Sequence, residues 1–183
     1  SQSSQRKATD SSPPAGATIS SSGIITWTPG EVQGPVTNVI TTVVNDGMVS
    51  ATNSFTVTVT EVNLAPTFTN TPPNQSLAEL VPLTVGNGVT DGDLPANPLS
   101  YQLLNPPGNA AIDANGVITW TPAEAEGPTT NTITTVVSDG AVSVTNNFTV
   151  TVTEVNQAPG LPAQTDRTLA ELTLLTVTNT ATD

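Results

Sequence analysis

The sequence contains no histidine and no cysteine. That removes Ser-His-Asp and Cys-His nucleophiles, zinc and iron–sulfur ligation, and any disulfide staple. Basic side chains are nearly as scarce, since Arg6, Lys7 and Arg167 stand against 15 acidic residues for a net charge of -12. Nucleic acid and anionic membrane both need a basic face to displace counterions, so neither is expected as a partner. A cation is the expected small partner. Aromatic residues make up 3% of the chain, which leaves little to line a saccharide cleft around a carboxylate pair, so no enzyme is expected. The single lysine, Lys7, lies in the N-terminal tail, away from any core that an isopeptide cross-link would need. No apolar run approaches the ~18 residues of a membrane-spanning helix, so no membrane insertion is expected.

What remains is strand and turn chemistry. Thr, Val, Ser, Asn, Gly and Pro dominate, and β-branched runs such as Ile40–Val44 and Phe55–Val59 separate the chain from disordered acidic sequences. Residues 23–66 recur as 116–159, with 33 of 44 positions identical at a spacing of 93. Gly23-Ile-Ile-Thr-Trp-Thr-Pro29 answers Gly116-Val-Ile-Thr-Trp-Thr-Pro122, and Phe55 to Asn63 is repeated without change as Phe148 to Asn156. Leu77-Ala-Glu-Leu80 returns as Leu169-Ala-Glu-Leu172 at a spacing of 92. The repeat unit therefore defines three segments: residues 1–63, an incomplete unit; 64–156, a complete one; and 157–183, the opening of a third. Within the complete unit, strands are expected near 75–80, 83–89, 99–104, 110–113, 116–121, 130–138 and 142–154. Asp139-Gly140 makes a tight hairpin between the last two. About seven short alternating strands per repeat predict an all-β architecture of Greek-key β-sandwiches. Trp27 and Trp120 lie on apolar Ile-Thr-Trp strands and are expected in the core rather than as sugar platforms.

This pattern resembles the cadherin-like and Ig-like tandem repeats of bacterial surface proteins. The stretch that carries the resemblance most specifically is Thr90-Asp91-Gly92-Asp93-Leu-Pro-Ala-Asn97-Pro-Leu99-Ser-Tyr101, similar to the family's Asp-x-Asp, Asn, Leu-x-Tyr segment. The resemblance implies an extracellular or cell-surface location and Ca2+ at the junctions between repeats. By matching position it implies Glu31, Glu61, Asn63, Asp91, Asp93, Asn97 and Asp139 as ligands ahead of the complete unit. It implies Glu79, Glu124, Glu126, Glu154, Asn156 and Asp183 at the following junction. Massed carboxylates repel one another unless a cation lies between them, which agrees with the transfer. The linker Glu-Val-Asn-x-Ala-Pro carries fewer acids than the family pattern, so fewer or weaker ions per junction are expected. Residue types alone also fit plainer roles: Asp139 and Asp46 as hairpin residues before glycine, Asp91 and Asp93 as solvated loop, Glu61 and Glu154 as edge charges against aggregation.

Residues 1–63 have no counterpart of 67–91, whereas 157–183 contain that counterpart and nothing beyond it. A long array cut at arbitrary points accounts for this. So does head-to-tail assembly of copies, in which the C-terminal segment of one chain fills the open edge of the next and brings Glu171 and Asp183 to Glu31 or Asp46. Closure of the two halves within one chain is geometrically hard across an intervening rigid domain. The expected function is a non-enzymatic extracellular structural protein. The alternative is an adhesin stalk or a carbohydrate-binding accessory module with a surface glycan or protein ligand.

Overall fold

The computed structural model describes residues 7–10 and 13–182. Residues 1–6, 11, 12 and 183 lie outside the described residues, and with them the metal-ligand expectation for Asp183 and most of the non-repeating N-terminal tail. Both repeats are β-sandwiches. The complete unit contains β6 (Thr67–Asn70), β7 (Gln75–Ala78), β8 (Leu83–Gly86), β9 (Gly88–Thr90), β10 (Ser100–Leu104), β11 (Ala111–Ile112), β12 (Val117–Trp120), β13 (Thr129–Ser138) and β14 (Ser143–Thr153). Eight of these nine match the seven expected strand positions, with the second expected strand divided into β8 and β9. The remaining strand, β6, lies in a Thr-Phe-Thr-Asn-Thr-Pro-Pro stretch whose prolines mask its alternation.

One sheet has the order β10-β13-β14-β7, with β7 added parallel to the end of β14; the facing sheet has the order β11-β12-β8. The alternating apolar positions of β13 and β14 send Ile133, Val137, Phe148, Val150 and Val152 inward, and Leu83, Ile118 and Trp120 meet several of them from the other sheet. Trp120 is 2% exposed, so it belongs to the core. At the hairpin tip Gly140 adopts φ +96°, a conformation that favours glycine, and the Asp139 carboxylate accepts the backbone N–H groups of Ala141 and Val142.

The first unit contains β1 (Lys7–Asp10), β2 (Thr18–Ile19), β3 (Ile25–Thr26), β4 (Val36–Asn45) and β5 (Ser50–Val59). Its sheets have the orders β1-β4-β5 and β2-β3. Among the described residues no strand pairs with the outer edge of β5 or of β3, the edges that β7 and β8 cover on β14 and β12. The core registers this directly. Phe55 is 41% exposed where its counterpart Phe148 is 3% exposed, and Ile40 is the one large apolar residue of this unit among the buried core.

Residues 157–182 are exposed throughout and carry one isolated antiparallel bridge, Gly160 to Thr182, in place of the regular strands that their sequence leads one to expect. A two-stranded ribbon with no sheet to join holds few ladder bonds. The segment still keeps the local conformation of its counterpart. Leu172 has φ 67° and Leu80 has φ 61°, and the turn bond from Thr173 N–H to Ala170 O matches that from Val81 N–H to Ala78 O. Leu169, Leu172, Leu174, Leu175 and Val177 all face solvent.

Closed and open units should respond differently to the same truncation. Phe148→Ala should cost about 3–5 kcal/mol in urea unfolding, the range for a buried aromatic. Phe55→Ala should cost about 1 kcal/mol or less, because most of the cavity it would leave is already open to water.

Candidate metal centre

The linker after β5 runs straight into the complete unit and brings acids from both units together. Glu31, Glu61 and Asp93 form one cluster and Asp91, Asp93 and Asp139 a second, with ligand oxygens within 4.8 Å of one another in each. Asp93, shared by both, is 1% exposed, and Asp139 is 6% exposed. Their positions follow from local chemistry. Asp91 sits at the end of β9 and accepts the Asp93 N–H at 3.0 Å, which folds the Asp-Gly-Asp loop back on itself. Asp93 accepts Leu64 N–H at 2.7 Å and an Asn97 side-chain N–H at 2.8 Å. Asn63 donates to Asp139 at 2.9 Å and accepts from Asn97 at 3.1 Å. Glu31 accepts Leu94 N–H at 3.0 Å, crossing from the first unit to the second. All seven residues expected at this junction are therefore brought together. Asp139 faces both ways, its Oδ1 accepting from the turn and its Oδ2 from Asn63 at the junction.

The other end of the complete unit repeats the arrangement in part. Glu79, Glu124 and Glu154 cluster with oxygens within 4.8 Å. Glu79 enters on the turn after β7, is 2% exposed, and accepts Val155 N–H at 2.9 Å through Oε1. Its Oε2 is buried with no hydrogen-bond partner, as is Asp91 Oδ2 at the first junction. Glu126 stands apart: its carboxylate accepts Ala123 N–H at 2.7 Å and closes the short 3₁₀ turn Glu124–Glu126 on itself, as Gln33 does for Gly30. Asn156 donates to Gln157 O at 3.2 Å, the same local bond that Asn63 makes to Leu64 O. Glu171 lies on the exposed tail turn, and Asp46 accepts Met48 and Val49 N–H groups in the first hairpin.

Two glycines complete the frame and were not singled out from sequence. A Cβ on Gly127 would collide with Glu79 Oε2, so only glycine lets that carboxylate sit there. Gly34 holds the same place in the first unit, and the Gly-Pro pair common to both repeats was the available signal.

The electrostatics are one-signed. No Lys, Arg or His occurs between residues 8 and 166, so neither the linker nor the complete sandwich carries a basic side chain to neutralise the junction acids. Glu61 is held above the usual carboxylate range, first by lost hydration and then by the charges of Glu31 and Asp93. Asp139 is held below its usual range by the Val142 N–H and the Asn63 side chain. An all-oxygen ligand set with unpartnered buried carboxylate oxygens and no basic neighbour fits a hard divalent cation.

Comparison with known proteins places this geometry in context. A family model described as "Putative Ig domain" matches residues 1–60. No curated protein sequence matches the chain. Among solved structures, Drosophila N-cadherin EC1-4 is similar with a TM-score of 0.57 and 18% identity, covering 82% of this chain and 41% of that one. Human protocadherin-24 EC1-2 is similar with a TM-score of 0.54 and 15% identity, covering 84% of each chain. An endo-fucoidan hydrolase of glycoside hydrolase family 107 also matches at a TM-score of 0.39 and 19% identity, and there the chain spans 24% of that protein's length. The fold is thus a cadherin-like and Ig-like β-sandwich. No helix among the described residues is long and apolar enough to cross a membrane.

The two shifted acids predict opposite pH effects in calcium-free buffer. Glu61 binds its proton more tightly folded than unfolded, so stability falls as pH rises through its folded pKa. Glu61→Gln should therefore melt higher than the wild type at pH 7 and equal it once pH falls below the ordinary glutamate range. Asp139 binds its proton less tightly folded, so its contribution is present at neutral pH and lost as pH falls through the acid range. Asp139→Asn should melt lower at pH 7, with the gap closing on acidification; calorimetry across pH 3–7 tests both.

Proposed function

Because the chain carries cadherin-like, Ig-like repeats, we propose that it is a non-enzymatic extracellular structural protein whose repeat junctions are stiffened by calcium. The observation that carries this reading is the convergence of Glu31, Glu61, Asp91, Asp93 and Asp139, drawn from both units, with Asp91 Oδ2 buried and unpartnered among them. A cation held there supplies the positive charge that the protein lacks between residues 8 and 166 and adds to the linker and the Leu94–Glu31 hydrogen bond in tying the two sandwiches. Asn63, Asn97 and the backbone of Leu64 orient the carboxylates, leaving Asp93 between the two clusters. Glu79, Glu124, Glu154 and Asn156 present the same half-site at the far end, beside an open cavity of about 660 Å³ where a following unit would dock.

The same reading includes head-to-tail assembly of copies by strand complementation. Two features support it: the uncovered edges of β3 and β5, and an exposed C-terminal segment that keeps the turn geometry of the strands covering those edges in the complete unit. In the register of β7 and β8, Leu169 of a second copy would lie beside Val59 and Leu175 opposite Trp27. Repeated addition of this kind does not close and grows a filament.

Millimolar calcium should raise the calorimetric melting temperature by roughly 5–10 °C, given affinities in the range of about 0.1–1 mM for extracellular modules. Asp93→Asn should remove most of that rise because both clusters share this residue, and a melting temperature indifferent to calcium would sink the metal reading. Light-scattering mass in calcium and in chelator tests the assembly reading, which a monomer under both conditions would end.

A further inference from the structure

The complete unit has an edge strand without the usual protection against pairing. In its larger sheet β10 lies outermost, beside β13, and among the described residues no strand covers its other side. Alternate residues of Ser100–Leu104 therefore present backbone N–H and C=O groups outward with no ladder partner. Natural edges are commonly blunted by charge, above all by lysine. The first unit follows that rule: β1 takes the same place beside β4, and in the matching register Lys7 stands where Ser100 does and Asp10 where Leu103 does. β10 reads Ser-Tyr-Gln-Leu-Leu and carries no charge. The acids of the complete unit all lie in loops and turns, so a strand edge is where two chains of net charge -12 approach each other with least repulsion. The strand is firmly placed from within. Leu103 packs against the core, and Tyr101 lies so close to Gly116 that a Cβ there would come within 2.8 Å of its ring. Pro98 and Pro106, which have no N–H to donate, flank the edge and confine a ladder to the residues between them. On the outer face Leu104 is 53% exposed at one end of the strand. Toward the other end, on the same face, Ser100, Gln102, Val136, Ser138 and Ser143 line a concavity of about 270 Å³. One edge thus carries a projecting leucine and a hollow, on opposite sides of Gln102.

We propose that β10 pairs antiparallel with β10 of a second copy about a two-fold axis through Gln102, joining two four-stranded sheets side by side. In that register Leu104 of each copy lies opposite Ser100 of the other, and directly paired residues share a face, so each leucine enters the hollow of its neighbour. The contact is self-complementary and closes at two copies. It satisfies the outward backbone groups of both edges together, and at the axis Gln102 meets its own copy with an amide that both donates and accepts. A five-residue edge buries less than the ~1,200 Å² at which stable interfaces begin, so the pairing is weak and transient. It is a lateral contact, made within the complete unit, and independent of the head-to-tail assembly proposed above.

A chain without cysteine allows a weak contact to be trapped by a single introduced thiol. Gln102→Cys in the full chain sets two thiols across the axis, where directly opposed strand residues have the Cα separation that a disulfide spans. Under mild oxidation at millimolar chain concentration it should form a covalent dimer about tenfold faster than Thr151→Cys, an exposed position on the same face but on the interior strand β14. Adding Leu104→Lys to Gln102→Cys puts a charge where the leucine meets the hollow, at a position already open to water. Dimer formation should then slow to the Thr151→Cys rate with the melting temperature unchanged. Head-to-tail assembly brings no two copies of residue 102 together, so it cannot imitate this result. Equal rates for Gln102→Cys and Thr151→Cys, or a rate that Leu104→Lys leaves undiminished, would overturn the lateral pairing and leave the calcium and head-to-tail readings standing.

Discussion

A sandwich excludes water from its core when both of its sheets carry their outer strands. In the complete unit β7 lies against β14 and β8 against β12, and between them Ile118, Trp120, Ile133, Phe148, Val150 and Val152 are almost wholly buried. The first unit repeats the inner strands with nearly the same residues and leaves the outer edges bare. Phe55 and Val44, on strands that are otherwise faithful copies, stand open to solvent where their counterparts Phe148 and Val137 are buried. Apolar burial needs material on both sides of a side chain, so the same Phe-Thr-Val-Thr-Val strand is core in one unit and half-exposed surface in the other.

Edge closure also carries the chemistry of the junction. The turn that ends β7 delivers Glu79 into the space beside Gly127, next to Glu124 and Glu154. Cohesion within a repeat and charge between repeats are therefore coupled through one short segment, Leu-Ala-Glu-Leu: its leucine packs against the core while its glutamate faces the acids.

The junction is built against Coulomb repulsion. Five carboxylates from two units converge where no basic side chain is available, and neutral partners, Asn63, Asn97 and the Leu64 and Leu94 N–H groups, hold them in place. Amide donors orient carboxylates without cancelling their charge, and Glu61, raised first by lost hydration and then by the charges of Glu31 and Asp93, holds its proton more tightly than an ordinary glutamate.

Much of this was legible in one dimension. The 93-residue period, the alternation of Phe, Val and Thr, and the Asp-Gly turn specify the sandwich and its hairpin through local sterics and burial, which depend on short-range pattern. The same pattern placed Trp120 in the core, and the resemblance to cadherin-like repeats is what assigned Glu31, Glu61, Asp91, Asp93 and Asp139 to one junction. What the pattern could not decide depends on through-space neighbours. Glu126 looks like its neighbour Glu124, yet it turns back to cap a 3₁₀ turn, because a backbone N–H three residues away competes for its carboxylate. β6 hides among prolines and exists because β9 offers it an edge. The tail contains strand residues without becoming strand, since a ladder requires a partner that sequence cannot supply by itself. Only the folded chain distinguishes the filled slot beside Gly127 from the open one beside Gly34, two glycines in the same repeat position whose surroundings differ by the presence of one strand.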